Sequence, residues 1–242
     1  MRKYTLLIVW SCFYFFGNTQ SLQDAEKAYK QENYLQAISI WNRYIKDETL
    51  NKSLIYNNIG TAYASQKEWA KAILYFEKAV KQHYNNEKAQ LNLKIARAKL
   101  NLSNENNQLF FVNWWLSLLD LFSIFGWQMI CILIISTFSI CYILLKKQIV
   151  IKTRKTPILF FALSVFTMII IISKSSNLKE NNHAIITLSD SYKYKDPNLT
   201  QIIGVSKQGE KVEILEELED SKMIINESDS TFWVKKNSLE SI

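Results

Sequence analysis

Two uncharged apolar runs, 126–145 and 156–173, lie in the middle of the chain with soluble-looking sequence on both sides. Each is long enough to cross a hydrocarbon core of ~30 Å as a helix rising ~1.5 Å per residue. The segment between them, 146–155, carries Lys146, Lys147, Lys152, Arg154 and Lys155 and no acid. A short all-basic loop stays cytoplasmic. Both flanking segments then belong on the opposite side, so the expected layout is a transmembrane hairpin carrying two extracytoplasmic modules.

The formal charge of +7 is mostly topological, because the loop alone supplies +5 and the segment from Lys174 onward is net acidic. No basic run is interleaved with aromatics on a soluble stretch, which argues against nucleic acid as a partner. Residues 1–20 read as a signal peptide, with Arg2-Lys3, then apolar Tyr4–Phe16, then polar Gly17-Asn18-Thr19-Gln20. Thirteen apolar residues suit a signal core and are too few to span. Left uncleaved, the same segment would be an anchor that keeps the next module on the same side. Bulky Trp10 stands against a lipoprotein site at Cys12. The other cysteines, Cys131 and Cys141, fall in the first span, so the soluble modules have neither a disulfide framework nor thiolate metal ligands.

Residues 21–104 contain a helical repeat. Tyr56, Ile59, Gly60 and Tyr63 are followed by Trp69, Ala72, Phe76 and Ala79. A glycine inside a helix costs ~1 kcal/mol against alanine, so Gly60 needs a packing reason. The expected one is a close approach by the second helix at Ala72, with Tyr63, Trp69 and Phe76 filling the space. Tyr34, Ala37 and Trp41 repeat the pattern one unit earlier, and Asn92-Leu93 repeats Asn58-Ile59 one unit later, where residues 87–102 form a closing helix. The segment resembles tetratricopeptide repeats, with Tyr56 and Ile59 replacing the usual Trp and Leu and Tyr84-Asn85 replacing the usual proline. The resemblance implies a binding surface on the first helix of each pair. It places Asn58 and Asn92 there in equivalent positions, where an amide offers both a donor and an acceptor to a peptide backbone. Lys88 and Lys99 add charge.

Residues 109–124 carry Trp114, Trp115 and several Phe and Leu with one acid, Asp120, and Trp127 follows at the start of the first span. That density of aromatics reads as an amphipathic helix in the headgroup region. Neither run holds an ionisable residue, so no proton or ion path is built in. In 184–242, β-rich bursts alternate with Asp, Asn, Gly and Ser: Ala184–Leu188, Gln201–Val205, Lys211–Leu215, Lys222–Ile225 and Thr231–Val234. Five strands predict a small all-β barrel. Their order resembles a bacterial SH3-like domain, with Trp233 on the closing strand. The acidic run Glu213–Asp220 lacks the glycine and ligand spacing of a calcium loop and reads as a solvated hairpin.

No nucleophile elbow, zinc motif, Cys-x-x-Cys or phosphate loop is present, and five glycines cannot build a phosphate cradle. The expectation is a non-enzyme without metal or cofactor. The fold expected is multi-domain: an all-α tetratricopeptide array, a two-helix transmembrane hairpin and a small SH3-like barrel. This whole order resembles the BatE proteins of bacterial aerotolerance operons. The residues carrying the likeness are Tyr75-Phe76-Glu77-Lys78-Ala79, Asn92-Leu93 with Ala96-Arg97-Ala98, and Trp114-Trp115 with Ser117-Leu118. The resemblance implies a non-catalytic scaffold of the bacterial inner membrane with both soluble modules periplasmic. The partners it implies are von Willebrand A-type membrane proteins of the same operon and, indirectly, a MoxR-type ATPase. The alternative is a cell-wall adaptor whose SH3-like domain binds peptidoglycan or an envelope protein.

Overall fold

The computed structural model describes residues 19–47, 49–102, 110–146, 156–179, 182–226 and 228–242. The signal peptide expected at 1–20 lies outside the described residues except for Thr19 and Gln20, which open the first helix. The basic loop expected at 146–155 lies outside them except for Lys146, which ends one helix; Thr156, just beyond it, begins the next. The chain divides into two compact units. One joins the segment up to Glu105 with Asn181–Ile242; the other is Asn106–Glu180.

In the first unit, α1 (Thr19–Lys30) pairs with α2 (Tyr34–Tyr44) and α3 (Lys52–Ser65) pairs with α4 (Trp69–Gln82), while α5 (Glu87–Lys99) stands as the half repeat. The repeat is written into the helix ends. Asn51 and Asn86 cap α3 and α5, each side-chain oxygen accepting from the backbone N–H three residues on. The first helix of each unit closes the same way. Glu32, Lys67 and Asn101 take positive φ of 61°, 63° and 53°. The following N–H then bonds the carbonyl five residues back, Asn33 to Ala28, Glu68 to Tyr63 and Leu102 to Arg97, at 2.9–3.0 Å. This is a Schellman-type stop used three times. The missing proline is offset by Asn86, whose Nδ2 donates to Ser53 Oγ at 2.8 Å while that hydroxyl donates to Ala79 O at 2.8 Å. The turn is therefore tied to both helices it connects.

Ala25, Ala28, Ala37, Trp41, Ile55 and Ile59 form one buried cluster; Ala72, Ile73, Leu74, Phe76 and Ala96 belong to a second. The close approach at Gly60 is made by the Phe76 ring rather than by Ala72. A Cβ at Gly60 would stand 2.7 Å from Phe76 Cδ1 and Cε1. Tyr63 stacks on Tyr75 with ring centres 5.4 Å apart. Burial pushes the Tyr75 phenol up to about 12, with Tyr63 and Glu240 adding to the shift.

The strands make one antiparallel sheet in the order β3-β2-β6-β5-β4-β1-β7, comprising β1 His183–Ile186, β2 Tyr192–Tyr194, β3 Ile202–Val205, β4 Lys211–Glu217, β5 Ser221–Asn226, β6 Thr231–Lys235 and β7 Leu239–Ser241. Seven strands replace the five expected, and β3 and β7 end the sheet without pairing to each other, so the barrel is not closed. The two strands missed in the sequence are three residues each. Too short to show alternation, they are recruited by long-range pairing to β6 and β1. Phe232 and Val234 point into the sheet's own core with Val212 and Ile224. Trp233 lies on the other face, 9% exposed, opposite Tyr194 and Met223. The acidic run forms the β4–β5 hairpin.

The second unit holds α6 (Phe110–Leu119), α7 (Ile124–Lys146) and α8 (Thr156–Lys179). Within α8, Leu159–Ser176 is long and apolar enough by itself to cross a membrane. Phe111–Leu119 and Ile124–Ile140 meet that test only as a pair, bent by 84°. The continuous helix expected over 109–124 thus stops at Leu119, and the next begins at Ile124.

Replacing Gly60 with Leu is expected to overpack the array by ~1–3 kcal/mol, since Phe76 cannot leave the core. Thermal denaturation of the full-length protein, followed by helical circular dichroism, should show a lower midpoint. An unchanged midpoint would mean that Gly60 and Phe76 do not touch.

Candidate functional site

The residues expected to bind a partner fall on the outward stripes of α3 and α5. Leu54, Asn58, Thr61 and Ser65 follow helical spacing on α3; Lys88, Asn92, Ile95 and Lys99 do so on α5, one repeat on. Leu54 and Ile95 are about half exposed, at 54% and 48%. Neighbouring Leu91 is 59% exposed. The two Asn are not equivalent in their bonds. Asn92 Nδ2 donates to Oδ1 of Asn57 at 3.0 Å, and Asn57 is buried at 2% exposure. Asn57 was not a sequence candidate; it is the buried acceptor that aims Asn92. One N–H of Asn92 is thereby used, leaving its second N–H and its oxygen for a ligand. Lys99 leans over the Trp69 ring, 6.0 Å from its centre. The surface offers amides, two lysines and an aliphatic strip. These groups suit holding an extended backbone with acidic or apolar side chains. A depression of about 440 Å³ lies on the first pair, lined by Asp24, Lys27, Gln31, Gln36 and Arg43 among others.

The three tryptophans expected at a membrane interface occupy three environments. Trp114 is 55% exposed, Trp115 is half-buried with its ring 6.2 Å from that of Phe166, and Trp127 is buried in the corner between α6 and α7. Trp127 Nε1 donates to Leu119 O at 3.2 Å. Lys174 Nζ donates to the same carbonyl at 2.8 Å and to Phe122 O at 2.7 Å, with Asp120 at 3.7 Å. A cation therefore caps the end of α6, where the helix dipole is negative. The bend is held by named hydrogen bonds.

The sequence held no visible sign of the junction between array and sheet. Glu77 of α4 is 8% exposed. Lys211 Nζ of β4 donates to it at 2.8 Å, and Arg97 of α5 stands 3.7 Å away. Ile185 of β1 is fully buried in the same cluster as Ala72, Phe76 and Leu102. Gly209 makes the fit possible on two counts. Its φ is +81°, and a Cβ there would stand 2.5 Å from Leu100 Cδ1 and 3.0 Å from Ile73 Cδ1. Lys81 Nζ donates to Ile242 O at 3.1 Å. Lys78, close by, has its pKa lowered by burial, with Glu240 opposing the shift. The local sequence around Glu77 is that of an ordinary amphipathic helix, and only its partners 20 and 134 residues away give it a role.

The fold and site define a TPR-like helical array joined to an antiparallel sheet. No family model and no curated protein matches the chain. Among solved structures, the first TPR of Spaghetti (RPAP3) bound to an HSP90 peptide aligns at 24% identity and TM-score 0.31, covering 34% of this chain and 72% of its own. The TPR2B domain of yeast Sti1, in a complex with Hsp70, aligns at 18% and 0.30, covering 34% and 67%. The Arabidopsis OM64 TPR domain aligns at 24% and 0.31, covering 35% and 72%.

Glu77→Gln is expected to cost about 1–3 kcal/mol, because it leaves Lys211 and Arg97 facing a neutral group in a poorly hydrated site. Lys211→Met added to Glu77→Gln should lose less than Lys211→Met made alone. Additive losses in a double-mutant cycle by chemical denaturation would show that the pair is not coupled.

Proposed function

We propose that this protein is a non-catalytic scaffold of a bacterial inner membrane, its array and sheet on the extracytoplasmic side and its α3–α5 surface taking a segment of a partner protein. One observation carries the reading: Asn58 with Leu54 and Asn92 with Lys88 repeat at the same helical positions one repeat apart, on outward stripes. Such a spacing matches an extended peptide, whose backbone presents donors and acceptors at regular intervals. The membrane part of the proposal draws on the apolar α8 and the bent α6–α7 pair. The five basic residues between the runs give the direction. The likeness to BatE proteins adds the candidate partners: von Willebrand A-type membrane proteins of the same operon, and through them a MoxR-type ATPase. The SH3-like reading of the sheet belongs to the same proposal.

A second reading, the cell-wall adaptor, is favoured by one feature. Tyr192, Ile202, Ile203 and Val205 are 44–57% exposed along β2 and β3. Retention on purified sacculi would favour this reading, and its loss on changing Ile203 and Val205 to Thr would locate the contact.

Two measurements test the main reading. Reporters active only outside the cytoplasm should work when fused after residues 105 and 242 and fail after residue 150; activity at 150 would invert the layout. Affinity capture from detergent, with full-length protein carrying Asn58→Ala and Asn92→Ala together, should recover roughly tenfold to a hundredfold less partner. That follows from two hydrogen bonds lost at ~0.5–1.5 kcal/mol each, more where a group is left unpaired, and ~1.4 kcal/mol per decade. Neither Asn belongs to the apolar clusters, but Asn92→Ala takes the donor from the buried Asn57 oxygen, so a lower melting midpoint is expected and capture is compared at a temperature where both proteins stay folded. Recovery equal to wild type would leave the array a spacer.

A further inference from the structure

The first helix of each full repeat is covered by the first helix of the repeat that follows. On α1, Leu22 packs against the cluster that includes Ile55 and Ile59 of α3, and the Tyr29 hydroxyl is 3.1 Å from Ser65 Oγ. On α3, Asn57 is 2% exposed and accepts from Asn92 of α5. The repeat spacing makes Leu91 the equivalent of Leu22 and Asn57, and Ala98 the equivalent of Tyr29 and Ala64. Among the described residues, α5 is the last helix of the array. Its Leu91 and Ile95 are 59% and 48% exposed, and Ala98 is exposed beside them.

The sheet covers a different side of α5. Ile185 and Ile242 pack where Leu93, Leu100 and Leu102 lie, and helical spacing turns those residues away from Leu91, Ile95 and Ala98. The open stripe adjoins the one that holds Asn92, with Ile95 at their border. A terminal repeat keeps a solenoid soluble by turning a polar face outward. This one turns out aliphatic residues, at the positions where α1 and α3 are covered. Lys94 stands at the position of Gly60, where the second helix of the repeat presses its Phe76 ring against the backbone. A lysine there leaves no room for so close a second helix, so the stripe fits a helix docked as the next first helix.

Charge selects the occupant. Lys94 borders the stripe on one side and Lys88 and Lys99 on the other, all three exposed, while Glu87 is the one acid of α5. A second copy of α5 laid antiparallel would set Lys88 against Lys99, and laid parallel would set Lys94 against Lys94. Such like-charge contacts disfavour a partner. We infer that Leu91, Ile95 and Ala98 receive an amphipathic helix of a partner protein, acidic along both margins, which docks as the next first helix and extends the array. Such a helix lays aliphatic residues at three- and four-residue steps along the stripe and sets its carboxylates beside the lysines. The site is separate from Asn58 and does not depend on a peptide being held there.

The test uses full-length protein in phosphatidylcholine nanodiscs, whose lipid carries no net charge to bias the probes. The probes are two fluorescein-labelled peptides of about 18 residues, long enough to form a helix. Both have leucines along one face; one is flanked by Glu and the other by Lys. Fluorescence anisotropy should show saturable binding of the acidic peptide and much weaker binding of the basic one. Leu91→Gln should weaken the acidic peptide roughly tenfold, the worth of burying one leucine. Lys94→Glu should weaken it several-fold and favour the basic peptide. Both changes are at exposed positions, so the melting midpoint should stay that of wild type, and Asn58→Ala should leave binding unchanged. No saturable binding, equal affinity for both peptides, or no effect of Leu91→Gln would overturn the inference. Loss of binding with Asn58→Ala but not with Leu91→Gln would also overturn it, and would place the peptide on the surface proposed above. Self-association of the protein that Leu91→Gln abolishes would put a second copy on the stripe, and the inference would fall.

Discussion

The rest of the first unit depends on one buried carboxylate and the apolar contact beside it. Glu77 sits inside the last helix pair, and its charge is met by Lys211 from the sheet and Arg97 from α5. Removing one partner of such a pair costs more than the pair contributes, because the remaining charge stays desolvated. Ile185 closes the same site with apolar area. A solenoid of two and a half repeats leaves an uncovered face after its last helix, and such faces need a cap. Here the cap comes from a strand 83 residues beyond Leu102, returned to the array after the chain has run through the second unit. The array and the sheet are consequently one unit.

The same contact deals with a sheet edge. Unpaired edges invite association. At β7, Ile242 is packed against the array core and its carbonyl is taken by Lys81 of α4. At β3 the protection is different: the β2–β3 register shifts between Lys193 and Tyr194, a bulge that twists the edge away from flat pairing. The exposed aliphatics of β3 are therefore poor templates for strand addition, which weighs toward the helical surface as the place where partners bind.

In the second unit, the bend between α6 and α7 is held by a cation and an indole sharing one carbonyl, Leu119 O. In a low-dielectric setting an unsatisfied carbonyl at a helix end is costly, and Lys174 meets it while placing its charge near Asp120. A helix pair bent by 84° leaves such a carbonyl without its helical partner, and these two donors supply the missing bonds.

The sequence by itself determined the repeat. Ala72 and Phe76 repeat Ala37 and Trp41 at a fixed spacing, and Gly60 leaves the gap that Phe76 fills, because two helices can pack this closely only around small and flat residues, and such local rules can be read in one dimension. It also marked the apolar runs, five of seven strands and the stripe holding Asn58 and Asn92. Tertiary structure decided the rest. Asn57 as the buried acceptor of Asn92, Glu77 as the ion-pair centre, and β2 and β7 as strands each depend on a partner distant in the chain. At Gly209, only packing against Leu100 and Ile73 shows that nothing larger fits. Periodicity records which face of an element is buried. It cannot record what buries it, because that choice is made by groups dozens of residues away whose meeting no local pattern encodes.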